Sequence, residues 1–171
     1  LGIIVLTNQQ SGAAFTAITN TIKDSYLGIS GFDRVKQMHD RVVQNEANAK
    51  KITDQIQKDI EAQQKNTSPK PANALFTGTY KDPWFGEVVI AEQNGKLRLK
   101  SIRSPRLRGE MHYYKGNTFI VRWDDRSFDA DAYVMFSLDM EGKASGIKMK
   151  AISPLTDFSF DFHDLDLSRV K

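Results

Sequence analysis

A serine and a lysine three positions apart, Ser145-Gly-Ile-Lys148, are of the right types to make a nucleophile and its base. That spacing works on a helix, where such residues share a face. Here Ile147, Met149 and Ala151 alternate with Lys148 and Lys150, which is the pattern of a strand. On a strand, positions i and i+3 point to opposite faces, so the match reads as coincidence. No Tyr-x-Asn, Lys-Thr-Gly or His-x-Gly accompanies it. The three histidines, His39, His112 and His163, are scattered and lack a second ligand at zinc-site spacing. There is no cysteine, hence no disulfide, thiolate metal site or thiol nucleophile. Asp124, Asp125, Asp129 and Asp131 crowd one segment without the glycine and terminal glutamate of a calcium loop, and read as a charged turn. The expectation is no catalytic residue, no cofactor and no metal.

Binding chemistry is a better prospect. Trp84, Phe85 and Trp123 are large aromatics near turns or on an apolar strand face, and they are the candidate ligand-binding or capping residues. The competing reading is plain core. Lys96, Arg98, Lys100, Arg103, Arg106 and Arg108 form a basic run, while Asp157, Asp161, Asp164 and Asp166 form an acidic cluster. These are expected to be solvated strand faces that attract one another, with a basic rim for an anionic partner as the alternative. The net charge of +3 does not imply nucleic acid, and the basic run carries no interleaved aromatic for base stacking. No apolar run is long enough for a membrane helix, so no membrane insertion is expected.

These residues sit on elements that alternate with period two from about Leu75 onward. Asn94-Gly95 marks a hairpin, because both turn positions need positive φ. Leu97 and Leu99, then Phe119, Val121 and Trp123, then Val134 and Phe136 mark single apolar faces. Phe158, Phe160 and Phe162 alternate with Ser159, Asp161 and His163, after which the phase slips before Leu165 and Leu167. That stretch reads as the closing strand, with three phenylalanines inside and a bulge at His163-Asp164. About eight short strands joined by tight turns predict an up-and-down antiparallel barrel.

Upstream, Leu1–Leu6 reads as a strand buried on both faces, which needs neighbours. A helix follows, with Ser11 as cap, Ala14, Ile18, Ile22 and Tyr26 on one face, and Gly28 as its stop. A second, long polar helix runs from Phe32 to about Asn66, with a stripe of Val35, Met38, Val42, Ala49, Ile52 and Ile56 from which Ile60 drifts. Thr67-Ser-Pro-Lys-Pro-Ala72 is a linker. The expected fold class is α+β, an N-terminal strand and helices followed by an eight-stranded barrel. The chain starts at Leu1 in mid-strand and shows no signal-peptide pattern, so it reads as a fragment of a longer protein.

Several stretches together resemble a known family. Tyr80-Lys-Asp-Pro-Trp-Phe-Gly86, Ser104-Pro-Arg-Leu107, Asn117–Trp123, Asp129–Phe136 and Asp157–Phe162 resemble the lipocalin-like C-terminal domain of β-lactamase-related and penicillin-binding-protein-like serine hydrolases. Leu1 to Gly28 looks like the last strand and terminal helix of such a hydrolase domain. The resemblance implies residues 1–30 as a hydrolase remnant, 31–73 as a helical connector and linker, and 74–171 as a lipocalin-like barrel. It implies a parent enzyme with a serine nucleophile, a lysine partner and a tyrosine base, none of whose motif positions occurs here. The implied role is a non-catalytic accessory domain that packs on, caps or oligomerises its own hydrolase domain. Homo-oligomers and a periplasmic or other extracytoplasmic location are implied with it. The alternative is a carrier whose barrel binds a small ligand or peptide. The two differ in whether Phe76, Tyr80, Trp123, Phe136 and Phe160 fill the interior.

Overall fold

A computed structural model describes residues 2–8, 12–66 and 68–170 of the protein. Two helices, α1 (Ala13–Tyr26) and α2 (Arg34–Lys65), precede eight strands. These are β1 (Gly78–Asp82), β2 (Gly86–Gln93), β3 (Lys96–Ser101), β4 (Arg108–Lys115), β5 (Thr118–Trp123), β6 (Ala132–Leu138), β7 (Ala144–Ala151) and β8 (Leu167–Arg169). Each strand pairs antiparallel with the next, and β8 pairs with β1, which closes the barrel.

The period-two pattern builds the wall. Leu97, Leu99, Phe119, Val121, Trp123, Val134 and Phe136 are all buried inside it. Asn94 and Gly95 adopt φ of 52° and 75°, and this tight turn sets the β2–β3 register at Gln93↔Lys96. Gly109 allows a close approach of β4 to β5: a Cβ there would lie 2.0 Å from the carbonyl oxygen of Arg122.

Two aromatic groups fill the interior. Phe76, Tyr80, Phe119 and Phe136 pack with ring centroids 4.7–5.9 Å apart. Trp123 and Phe162 meet at 5.9 Å, and Phe160 extends that group at 5.8 Å from Phe162. Phe76, Tyr80, Trp123 and Phe136 expose 0–2% of their surface, so other side chains rather than solvent surround them.

The chain forms two compact units, Leu1–Lys50 and Lys51–Lys171, and the division falls within α2. In the first, Arg34 pairs through Nε and Nη2 with the carboxylate of Asp24 at 2.6 and 3.3 Å, tying the end of α1 to the start of α2. Asp33 accepts a hydrogen bond from the Lys36 backbone N–H and so caps α2. In the second unit, Ile56 and Ile60 of α2 cover Ile120, which faces outward from β5. Tyr114 donates to Asp59, and Arg122 donates to Gln57, at the edges of that contact.

Several expectations need correction. Gly2–Thr7 form no strand, and Ile4 and Leu6 are exposed. Each barrel strand pairs with its two neighbours within the barrel, the short β8 closing it between β7 and β1. Gly12 stands at the start of α1; Ser11 lies outside the described residues. Ala17 is the buried position of α1, whereas Ile18 and Tyr26 of the expected face are exposed. In α2, Ile60 is buried rather than lost from the stripe, because Ile56 and Ile60 at i, i+4 share the face that meets β5. The linker's Thr67 is likewise outside the described residues.

The largest correction concerns Phe158–Leu167. Only Leu167–Arg169 is strand, and Phe162–Asp164 is a 3₁₀ turn where a bulge was expected. Asp157 Oδ1 accepts from the Ser159 N–H, and the Phe160 N–H donates to the Asp157 carbonyl. Such a local Asx turn competes with the extended ladder. The three phenylalanines consequently separate: Phe162 is buried, Phe160 is half-buried, and Phe158 is 84% exposed. Irregular pairing occurs instead between Tyr113 and Lys115 and between Ser137 and Leu138.

Candidate functional site

Antiparallel strands reverse at each turn, so every second connection lies at the same end of the barrel. One end carries the tight turns Asn94-Gly95 and Gly116-Asn117 and the Asp139–Lys143 turn. The Asn73–Leu75 3₁₀ turn is tied to this end, since Asn73 Nδ2 donates to the Gly95 carbonyl at 3.1 Å. Here the Tyr80 hydroxyl donates to the Phe76 carbonyl at 2.7 Å. Arg169 donates to the carbonyls of Thr77 and Ala144 and to the Tyr80 oxygen, with its guanidinium 5.6 Å from the Tyr80 ring centroid. Burial pushes the Tyr80 phenol up to about 12, against the pull of Arg169.

The other end carries the connections β1–β2, β3–β4, β5–β6 and β7–β8. They meet in an open groove of about 580 Å³ lined by Trp84, Phe85, Arg103, Pro105, Phe128 and Phe160, among others. Asp82 builds the first wall. Its side chain is buried; Oδ1 accepts from the N–H groups of Trp84 and Phe85 at 2.8 Å each, and Oδ2 from that of Asp166 at 2.9 Å. One carboxylate thus pins the β1–β2 turn and the entry to β8. Burial alone would raise its pKa, but the N–H groups of Phe85, Asp166 and Trp84, helped by Lys148, hold it below the ordinary carboxylate value.

That turn leaves the Trp84 side chain 71% exposed. Arg103 crosses it, donating through Nη1 to the Trp84 carbonyl at 2.7 Å. Its stem fits because residue 86 is glycine: a Cβ there would lie 2.9 Å from Arg103 Cδ. Arg106 forms the opposite edge. It is bonded to Asp125 through Nε and Nη2 at 2.9 and 2.6 Å, and lies 4.8 Å from the Phe128 ring centroid. The Ser127 hydroxyl and Arg106 together pull the Asp125 carboxyl down to about 2.

A family model described as a domain of unknown function, DUF3471, matches residues 62–169. The chain belongs to the DUF3471 family. Among solved structures, the DUF3471 chain is similar to the C-terminal domain of penicillin binding protein Rv0907. The identity is 16% and the TM-score 0.43, over 62% of this chain and 91% of that one. A search of curated proteins finds no match.

Of the three candidate residues, the DUF3471 barrel brings Trp84 and Phe85 together at the groove. It places Trp123 in the core, where the indole N–H donates to the Ala130 carbonyl at 2.6 Å. Four of the six basic residues pair elsewhere than on the C-terminal acidic cluster. Lys96 pairs with Glu110, Arg98 and Arg108 with Asp124, and Arg106 with Asp125, because these partners stand on the adjoining strand β4 and the β5–β6 connection. Asp166 of that cluster pairs instead with Lys148 on the neighbouring strand β7, at 2.8 Å.

The strand pattern puts Ser145 and Lys148 on opposite faces, yet both are exposed. Ala144 pairs with Leu138 and Gly146 with Ser137, so Ser145 is the extra residue of a bulge that resets the phase. The Ser145 hydroxyl faces the Ser137 carbonyl at 3.3 Å, while Lys148 is held by Asp166. His39 and His163 are exposed beside Asp40 and Asp164. His112, half-buried on β4, is pushed below its ordinary value by burial, which Glu110 opposes. Among the described residues no three His, Asp or Glu side chains form a metal-binding group, and no helix is long and apolar enough to cross a membrane.

Sequence reasoning missed Asp82, Arg103 as a single residue, Phe128 and Phe158 as contributors to this end. A signal existed for Asp82: aspartate opening a turn tends to accept its N–H groups two and three residues on. None existed for the exposure of Phe158, whose alternation with its neighbours matches a strand.

Proposed function

We propose that this chain is a non-catalytic accessory domain of a β-lactamase-related serine hydrolase. Its lipocalin-like barrel packs on, caps or oligomerises that enzyme outside the cytoplasm. The observation that carries this reading is the contrast between a filled interior and a bare rim. Phe76, Tyr80, Phe136 and Trp123 pack inside the barrel with 0–2% of their surface exposed, whereas Trp84 stands 71% exposed over a groove that Phe160 also lines. A carrier needs space inside its barrel; a docking module needs apolar surface at one end. The sequence resemblance over Leu75–Leu167 supplies the class of enzyme.

The test is association. The chain is titrated into the catalytic domain of a serine hydrolase with which it is encoded, and binding is followed by calorimetry alongside ester turnover. The expected results are a saturable complex and a changed kcat/KM. A catalytic domain that neither binds the chain nor changes its turnover would overturn the proposal. The chain alone should give no saturable turnover of nitrocefin or a p-nitrophenyl ester, and Ser145-dependent turnover would refute the non-catalytic part.

A further inference from the structure

The rim holds both halves of a contact that the chain does not make with itself. One half is the groove. Its apolar lining includes Trp84, Phe85, Pro105 and Phe128, and Arg103 stands at its edge. Arg103 spends one N–H on the Trp84 carbonyl and has no carboxylate partner among the described residues. The other half lies beside it. Ser159 and Phe160 line the groove, and Phe158, next to them in the chain, is 84% exposed. Asp161 follows, half-buried and without a cationic partner among the described residues.

We propose that this rim is the interface between two copies of the chain. Phe158 of one copy enters the groove over Trp84 and Phe85 of the second, and Asp161 of the first meets Arg103 of the second. A two-fold axis repeats both contacts in reverse. The occupant is a second copy because each unspent feature finds its complement on the same surface. The exposed ring matches the apolar groove, and the carboxylate matches the guanidinium, which forms strong paired hydrogen bonds with carboxylates. Arg103 is already positioned for this by its bond to Trp84 and its seat over Gly86. The inference goes beyond the accessory-domain reading, since the contact needs no catalytic domain.

Sedimentation equilibrium of the chain alone tests it. The wild type should dimerise reversibly. Trp84→Ala and Phe158→Ser should each weaken the dimer by about 30-fold, as for aromatic anchors at an interface. Arg103→Glu and Asp161→Arg should each be monomeric, because each places like charges together at both contacts. Mixed one to one, these two variants should form a heterodimer. One of its two contacts then carries the ion pair with its charges exchanged, and the other carries the native Arg103–Asp161 pair. Thermal melts of all four variants at low concentration establish that they fold. A monomeric wild type overturns the proposal, as does a dimer indifferent to Trp84→Ala and Phe158→Ser. Folded charge variants that stay monomeric on mixing overturn it too. A chain that stays monomeric yet binds a catalytic domain through Trp84 would overturn this inference and leave the accessory-domain reading standing.

Discussion

The two ends of the barrel use the same kinds of residue to opposite effect. At the tight-turn end, aromatic and arginine side chains satisfy each other. Phe76 caps the interior, Tyr80 donates to Phe76, and Arg169 distributes its donors over Thr77, Ala144 and Tyr80. At the rim, Trp84 and Phe158 keep most of their surface in water, and Arg103 has donors to spare. The two tryptophans make the contrast sharp: Trp123 is 2% exposed and Trp84 71%. Burial of apolar surface stabilises a fold only where it happens on folding. The closed end and interior therefore hold the barrel together, and the rim leaves its apolar surface exposed.

That comparison breaks if stability does not follow it. Trp123→Ala should cost the most, about 3–5 kcal/mol, because it empties a large volume beside Phe162 and removes the indole bond to Ala130. Urea unfolding should show the midpoint fall, or no folded protein at all. Gly109→Ala comes next. The added Cβ meets the Arg122 carbonyl at 2.0 Å, so β4 and β5 must separate, at a cost of about 1–3 kcal/mol. A Gly109→Ala protein as stable as wild type would show that the wall is looser than its register implies.

Most of the barrel is legible in the sequence. Period-two alternation and the Asn94-Gly95 turn locate the first seven strands, because both are local signals whose physical cause lies within a few residues. The eighth strand is misplaced by the same reasoning, because Phe158, Phe160 and Phe162 alternate as a strand would. Asp157 diverts the backbone into a turn, and the closing pairing of β8 with β1 is non-local. The N-terminal apolar run shows the same limit: propensity favours a strand, but a strand forms only where a neighbour offers hydrogen bonds. At the candidate site, Trp84 and Phe85 can be named from residue type and turn position. Trp123 carries a different local signal, since it ends the alternating apolar face of Phe119 and Val121 while Trp84 lies in a turn, and its packing on Phe162 from the distant 3₁₀ turn places it in the core.

The wall between interior and rim depends on Asp82, and pH sharpens its share. Asp82→Ala strands three backbone donors and should cost about 1–3 kcal/mol at neutral pH. The folded-state pKa is depressed, so the stabilisation is present above the unfolded carboxyl value and is lost as pH falls through the folded one. The gap between wild type and Asp82→Ala should therefore be full above about pH 5 and shrink below about pH 4. Urea midpoints of both proteins across that range check it. A gap that is unchanged in acid would mean that the carboxylate's charge contributes nothing to pinning the turn.

Trp84→Ala should have the smallest effect on the isolated fold, within about 0.5 kcal/mol, since little of the side chain is buried. Its effect should appear elsewhere. A dimer that binds only folded chains raises the apparent melting temperature as protein concentration rises. Wild type should show that dependence, and Trp84→Ala should lose most of it while melting at the wild-type temperature in dilute solution. Scanning calorimetry over a wide concentration range separates the two contributions. A loss of about 2 kcal/mol in dilute solution would make Trp84 part of the scaffold, and the difference between the two ends of the barrel would then be one of degree only.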